Sequence, residues 1–306
     1  MTRVWLPDPP GTVATLKSLP EGIEADVWTG GEPLPDTLDE VEFIVLPGRV
    51  TPATLAVITK LPKLKVIQLM SAGAENVVPY IPDGITLCNA RGAHDAATAE
   101  WTVGAIVASI RDFPRFTKAQ GAGTWDFAVS ESVAGKHVLI VGYGSIGAAV
   151  ERRLAGWEVT VERIARHPRD GVRPITELQE VLPSADVVII LVPVTDETRH
   201  LVNKEFLKSM KDGALLVNAA RGPIVDTDAL LGELTAQRIR AALDVTDPEP
   251  LPLGHPLWKA PGLLLTPHVG GAVTGGRARA YAVVRDQLAR YAVGEPLRNV
   301  IGPGGY

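Results

Sequence analysis

The chain has 306 residues, which suits two domains of ordinary size, and 46% of them are hydrophobic, enough for sizeable cores. A formal net charge of −5 excludes a broad basic surface for nucleic acid, and the single cysteine, Cys88, excludes an intrachain disulfide and points to a reducing compartment. Apolar runs such as Val187 to Val194 are too short to span a bilayer, and Met1 to Asp8 lacks the apolar core of a signal peptide, so a soluble cytoplasmic protein is expected.

In chain order, strands are expected at Phe43–Leu46 and Val66–Met70. Between them Thr51 to Ile58 reads as a helix, with an N-cap threonine and proline at its first position. Cys88 reads as a small buried residue rather than a nucleophile. Asp95 to Arg111 is helical in pattern, and Gln120 to Trp125 is a Gly-rich connection. Lys136 to Val141 reads as a strand and Ala148 to Leu154 as the start of a helix. Further strands are expected at Glu158–Val161, Asp186–Leu191, Ala214–Asn218, Ala241–Val245 and Leu263–Thr266. Arg277 to Tyr291 reads as one helix, followed by a Gly/Pro-rich, exposed end. The alternation predicts an α/β fold with parallel sheets, and ligands bind at the C-terminal ends of such strands.

Gly142-Tyr143-Gly144-Ser145-Ile146-Gly147 lies between the expected strand and helix, the context that makes a G-x-G-x-x-G match a dinucleotide-binding site. The first glycine permits the turn, the second lets backbone approach a pyrophosphate, and the third lets helix and strand pack closely. The helix N-terminus offers N–H groups to the phosphates. Cofactor choice is read at the end of the next strand, where an acid about 20 residues on favours NAD(H) and arginine favours NADP(H). Arg163 falls there, with Arg166 nearby as a second phosphate ligand, so NADP(H) is favoured. A one-residue shift puts Glu162 on the ribose and leaves NAD(H) as the alternative.

Three strand ends carry ionisable groups: Asn218-Ala219-Ala220-Arg221-Gly222, Asp244-Val245-Thr246-Asp247-Pro248-Glu249-Pro250 and Thr266-Pro267-His268-Val269-Gly270-Gly271. An arginine, a carboxylate and a histidine suit hydride transfer at a 2-hydroxy or 2-oxo acid. The arginine holds the substrate carboxylate and polarises the carbonyl, the histidine moves the hydroxyl proton, and the carboxylate orients the imidazole. Each taken singly has a plainer reading, as surface charge or loop cap. Their joint placement at strand ends decides against it. His255 lacks that placement and reads as structural.

Together these motifs, in order and near-family spacing over essentially the whole length, resemble the D-isomer-specific 2-hydroxyacid dehydrogenase family, which includes glyoxylate/hydroxypyruvate reductases. The resemblance implies Arg221, Glu249 and His268 as catalytic residues. It implies two Rossmann-like domains with parallel sheets: a discontinuous, flavodoxin-like substrate domain over 1–95 and 276–306, and a dinucleotide-binding domain over 96–275. It implies substrate binding by Ala72 and Gly73 in Met70 to Asn76, together with Arg221 and His268. The implied cofactor contacts are Thr98, Gly142, Gly144, Ser145, Ile146, Gly147, Arg163, Arg166, Val192, Pro193, Thr198, Ala219, Ala220, Arg221, Asp244, His268 and Gly270. Asn218 and Pro193 are expected to shape the cofactor pocket through backbone more than side chain. Family members often carry asparagine where His94 stands, and a structural or helix-capping role is the expectation there. A homodimer through the nucleotide domain is implied, with no metal, nucleic-acid or membrane partner.

The expected activity is NAD(P)-dependent reduction of a small 2-oxo acid. Alternatives are a non-catalytic cofactor-sensing regulator on the same scaffold, and phosphite or formate oxidation, the last disfavoured because those enzymes carry glutamine where Glu249 stands. Phosphoglycerate is disfavoured because the length to Tyr306 leaves no room for a regulatory domain and no phosphate cluster is evident, although Arg49 is a candidate to face the cleft.

Overall fold

The structure is a computed structural model that describes residues 1–9, 11 and 18–302. It divides into two compact units, Met1–His94 with Thr274–Tyr306, and Asp95–Val273. The Gly/Pro-rich end expected to be exposed lies partly outside the described residues, from Pro303 onward.

The first unit carries β1 (Thr2–Leu6), β2 (Ile23–Val27), β3 (Val41–Val45), α1 (Pro52–Ile58), β4 (Val66–Gln68) and β5 (Thr86–Cys88). All strand pairs are parallel and the order is β2-β1-β3-β4-β5, the flavodoxin-like arrangement expected of this unit. β1, β2 and β5 escaped the sequence reading, because each is short and carries polar residues in an otherwise apolar pattern. Alternate strand residues bury on opposite faces. Ile44 and Ile67 join Val57 and Ile58 of α1 on one face. Phe43, Val45 and Val66 meet Tyr281, Val284 and Leu288 of the helix Gly276–Ala292 on the other. Each such side chain contributes about 1.5–3 kcal/mol, which explains why the chain's last helix belongs with its first strands. The N-cap expected at Thr51 is present, and Thr54 completes a capping box. Cys88 is fully buried, and burial pushes its thiol up to about 11, so it is no nucleophile at neutral pH.

The second unit begins with α2 (Asp95–Ile110) and α3 (Phe113–Gly121). It continues with β6 (His137–Val141), α4 (Ser145–Leu154), β7 (Thr160–Ala165), β8 (Arg173–Pro174), α5 (Leu178–Val181), β9 (Val187–Ile190) and α6 (Lys204–Ser209). β10 (Leu215–Asn218), α7 (Thr227–Thr235), β11 (Arg240–Leu243) and β12 (Leu263–Leu265) complete it. The seven strands are parallel in the order β12-β11-β10-β9-β6-β7-β8, so the winding reverses between β6 and β9. In such sheets ligands bind at that switch point. Both faces are apolar, as a parallel sheet requires. Val138, Ile140, Val187 and Ile189 pack on Ile106 of α2 and Val150 of α4, while Leu139, Val188 and Leu216 pack on Phe206 of α6 and Leu230 of α7. Among the described residues no helix is long and apolar enough to cross a membrane.

β7 corrects one expectation. The strand read at Glu158–Val161 starts two residues later and runs to Ala165, because Glu158 turns with φ 59° and β6 pairs along its whole length, from His137 with Thr160 to Val141 with Ile164.

Candidate active site

The glycine turn at the end of β6 is built by close approach. Gly142 has φ 101°, and a Cβ there would lie 2.5 Å from the Leu191 carbonyl carbon. A Cβ on Gly147 would lie 2.9 Å from Gly142 O, so strand and helix touch through backbone. Gly144 differs, since a Cβ there meets nothing within 4 Å. Gly144 is also the N-cap of α4 and gives no side-chain cap. The turn therefore leaves space in front of a ten-residue helix N-terminus, the cradle a pyrophosphate needs.

Tyr143 locks this turn. Its hydroxyl donates to Glu151 on α4, and its ring lies 5.7 Å from the Arg163 guanidinium and 5.3 Å from that of Arg169. Arg169 also donates to the Tyr143 carbonyl. Arg163 donates to both carboxylate oxygens of Glu151, which holds that carboxyl below the usual range. Arg163 is the residue expected at the cofactor ribose. It sits two residues inside β7 and is committed to α4. Glu162, the alternative at the ribose, lies 3.5 Å from both His137 and Arg173. The residue that follows β7 is Arg166, exposed, with Glu197 3.7 Å away.

β10, β11 and β12 end level, with Asn218 opposite Leu243 and Leu243 opposite Leu265. The loops after them pack on one another. A Cβ on Gly222 would fall 1.9 Å from Thr246 O, so only glycine fits where the Arg221 loop meets the Glu249 loop. Asn218, fully buried, donates to Arg221 O at 2.9 Å and accepts from Ala220 N at 3.0 Å. Its side chain, not the backbone role expected, thus folds the Ala219–Arg221 turn. Arg221 Nη1 donates to Ala220 O at 2.6 Å.

Asp244 is 4% exposed and holds the His268 loop. Its Oδ1 accepts from the Thr266 hydroxyl at 2.6 Å and Val269 N at 2.8 Å, and its Oδ2 from Gly270 N at 2.7 Å. A Cβ on Gly270 would lie 2.8 Å from Oδ2. With three donors in place, Asp244, one of the expected cofactor contacts, anchors this loop. Gly270 is likewise committed to this anchor. His268 follows with φ 55°, a left-handed backbone held by its N–H on Asp244 O at 2.7 Å. Its Nδ1 lies 2.7 Å from Glu249 Oε1. A carboxylate only accepts, so Nδ1 carries the proton and Nε2 remains for proton exchange with another molecule.

The other expected contacts lie on several elements. Thr98 is buried on α2, where its carbonyl accepts from Thr102. Val192 backs Gly142, and Pro193 and Thr198 share a turn in which the Thr198 hydroxyl donates to Pro193 O at 2.6 Å. Ser145 and Ile146 open α4, Ile146 packing into the core. Ala72 and Gly73 lie in the first unit, on the loop after β4. His94 bonds the Met70 carbonyl with Nε2 at 3.1 Å, pointing back to that loop rather than capping α2 with this nitrogen. Arg49 is exposed in the loop after β3. His255 caps a short 3-10 turn by accepting from Leu257 N, in line with its structural reading. Glu151 and Arg169 escaped the sequence reading; their partners lie 12 and 26 residues away, and no local spacing signals them.

A family model described as "D-isomer specific 2-hydroxyacid dehydrogenase, NAD binding domain" matches residues 103–270. A glyoxylate reductase of Thermofilum pendens is 37% identical over 251 residues, covering 76% of this chain and 74% of that protein. A D-3-phosphoglycerate dehydrogenase of Methanocaldococcus jannaschii is 32% identical over 314 residues, covering 98% of this chain but only 59% of that protein. Among solved structures, a D-isomer specific 2-hydroxyacid dehydrogenase from Xanthobacter autotrophicus, in complex with NADPH and MES, matches with TM-score 0.83 and 27% identity, over 99% of this chain and 98% of that one.

Proposed function

Because the chain belongs to the D-isomer specific 2-hydroxyacid dehydrogenase family, we propose that it reduces a small 2-oxo acid, of glyoxylate or hydroxypyruvate size, with NADPH. The observation that carries this is the His268–Glu249 pair at 2.7 Å, on a loop anchored by Asp244 and ending level with the Arg221 loop. His268 Nε2 gives a proton to the carbonyl oxygen of the substrate. Glu249 fixes the ring tautomer and stabilises the imidazolium that precedes transfer. Arg221 pairs with the substrate carboxylate. When bound, the nicotinamide supplies the hydride.

The Asp95–Val273 unit holds the cofactor, with the pyrophosphate at Gly144 and the N-terminus of α4. The unit formed by Met1–His94 and Thr274–Tyr306 binds the substrate carboxylate through backbone N–H groups of Ala72 and Gly73. NADP(H) is favoured over NAD(H) because the residue after β7 is Arg166, not an acid. Arg169, held against the glycine turn, adds positive charge. The NADPH-bound relative supports the same choice.

A homodimer is part of the proposal. Trp125, Phe127 and Val129 are 95%, 84% and 91% exposed in the segment after α3, apolar surface that a second copy would cover. A reducing, cytoplasmic setting fits the lone buried cysteine.

The experiment is oxidation of NADPH and NADH, side by side, with glyoxylate, hydroxypyruvate, pyruvate and phenylpyruvate. Turnover with NADPH preferred is expected. Tight NADPH binding with no turnover of any acid overturns the reductase and favours a cofactor sensor.

A further inference from the structure

The loop after β4 is held by its carbonyl groups. Met70 O is bonded by His94 Nε2 at 3.1 Å, Ser71 O accepts from Ala90 N at 2.8 Å, and Ala72 O accepts from Asn89 Nδ2 at 2.7 Å. Three successive carbonyls therefore face one segment, Asn89 to His94. A trans peptide points its C=O and the next residue's N–H in opposite directions. Anchoring the Ser71 carbonyl turns the Ala72 N–H away from that segment, and anchoring the Ala72 carbonyl does the same for Gly73. The Ser71 hydroxyl, donating to Gly73 O at 2.8 Å, tightens the same turn.

Asn89 is itself fixed from both sides. Its Oδ1 accepts from Arg91 N at 3.0 Å, its own N–H donates to Asn299 O at 3.1 Å, and it is buried. Asn299 closes the bracket by donating from Nδ2 to Arg91 O at 3.1 Å. With Oδ1 taken by a backbone N–H, the amide can present only its NH₂ to Ala72 O. His94 has no such freedom of choice either, since facing a carbonyl its Nε2 must carry the proton, which leaves Nδ1 buried without a hydrogen-bond partner among the described residues. That is a cost a purely structural residue has no reason to bear.

We propose that Asn89 and His94 are positioning residues that aim the Ala72 and Gly73 N–H groups at the substrate carboxylate, setting affinity for the 2-oxo acid without touching it. The inference rests on the proposed reductase reading of the loop. Three variants test it with glyoxylate and NADPH, alongside NADPH dissociation constants from nucleotide fluorescence. Asn89→Asp keeps the acceptor for Arg91 N but turns a second acceptor on Ala72 O. His94→Ala removes the donor to Met70 O, and His94→Gln restores an N–H at the same reach.

Asn89→Asp and His94→Ala are expected to raise KM for glyoxylate at least tenfold, with kcat within threefold of wild type and NADPH affinity unchanged. His94→Gln is expected to return KM to within threefold of wild type. A wild-type KM in Asn89→Asp, or His94→Gln as impaired as His94→Ala, overturns the clamp. If the wild-type protein turns over no 2-oxo acid, the reductase reading fails on its own account, and the clamp is judged by amide hydrogen exchange. Faster exchange confined to residues 71–74 in Asn89→Asp upholds it, and unchanged exchange there overturns it.

Discussion

Nδ1 of His268 lies 2.7 Å from Oε1 of Glu249, and the two side chains come from different strand ends, after β12 and β11. The pair exists because His268 takes a left-handed backbone, held by its N–H on Asp244 O. Replacing the carboxylate by its amide keeps the shape but gives Nδ1 a neutral partner that can present either an acceptor or a donor, so the ring tautomer is no longer fixed. Glu249→Gln is expected to lower kcat/KM about 10²-fold. Steady-state kinetics with glyoxylate and NADPH on both proteins check this.

Asp244 is a second consequence of the same loop. Three donors converge on its buried carboxylate, and Asp244→Ala leaves them without it. The expected cost is about 2–5 kcal/mol of stability, together with lost activity as the His268 loop loosens. Gly270→Ala drives a Cβ to 2.8 Å from Asp244 Oδ2 and is expected to cost about 1–3 kcal/mol by overpacking. Urea unfolding of both variants measures these losses.

Glu151 and Arg163 give a pH-dependent stability. The Arg163 hydrogen bond holds the Glu151 carboxyl below the ordinary range. A depressed folded pKa stabilises the protein above the unfolded value of about 4.3, and that stabilisation fades as pH falls through the folded value. Wild type is therefore expected to exceed Glu151→Gln by about 1 kcal/mol at pH 7, discounted for partial exposure, with the gap closing below pH ~4. Unfolding curves at the two pH values settle the sign.

Arg166 and Arg163 separate cofactor choice from scaffold. Arg166→Glu is expected to raise KM for NADPH about 10–100-fold while leaving NADH turnover within a few fold, because it removes the proposed phosphate ligand and adds a like charge. Arg163→Ala is expected to lower stability and leave the NADPH/NADH ratio of kcat/KM nearly unchanged. Kinetics with the two cofactors distinguish the roles.

What the sequence made legible was local or periodic. The glycine turn, the N-cap at Thr51 and the parallel α/β alternation follow from spacing, and the structure shows each. The end of β7 was misplaced because Thr160 to Ala165 carries Glu162 and Arg163 in an edge-side strand that does not read as apolar, and only pairing with β6 fixes its length. The anchoring role of Asp244 was not legible, because its three backbone and hydroxyl donors lie 22 to 26 residues away. The Asn89 and His94 bonds to the loop after β4 are likewise long-range and leave no mark in local spacing.

The most direct measurement is kcat/KM for glyoxylate reduction by His268→Ala, with the NADPH dissociation constant measured on the same preparation. The account predicts a loss of about 10²–10⁴-fold in kcat with NADPH binding intact, because Nε2 is the proton donor and the nucleotide cradle lies on other loops. Turnover near wild type in that variant would contradict it.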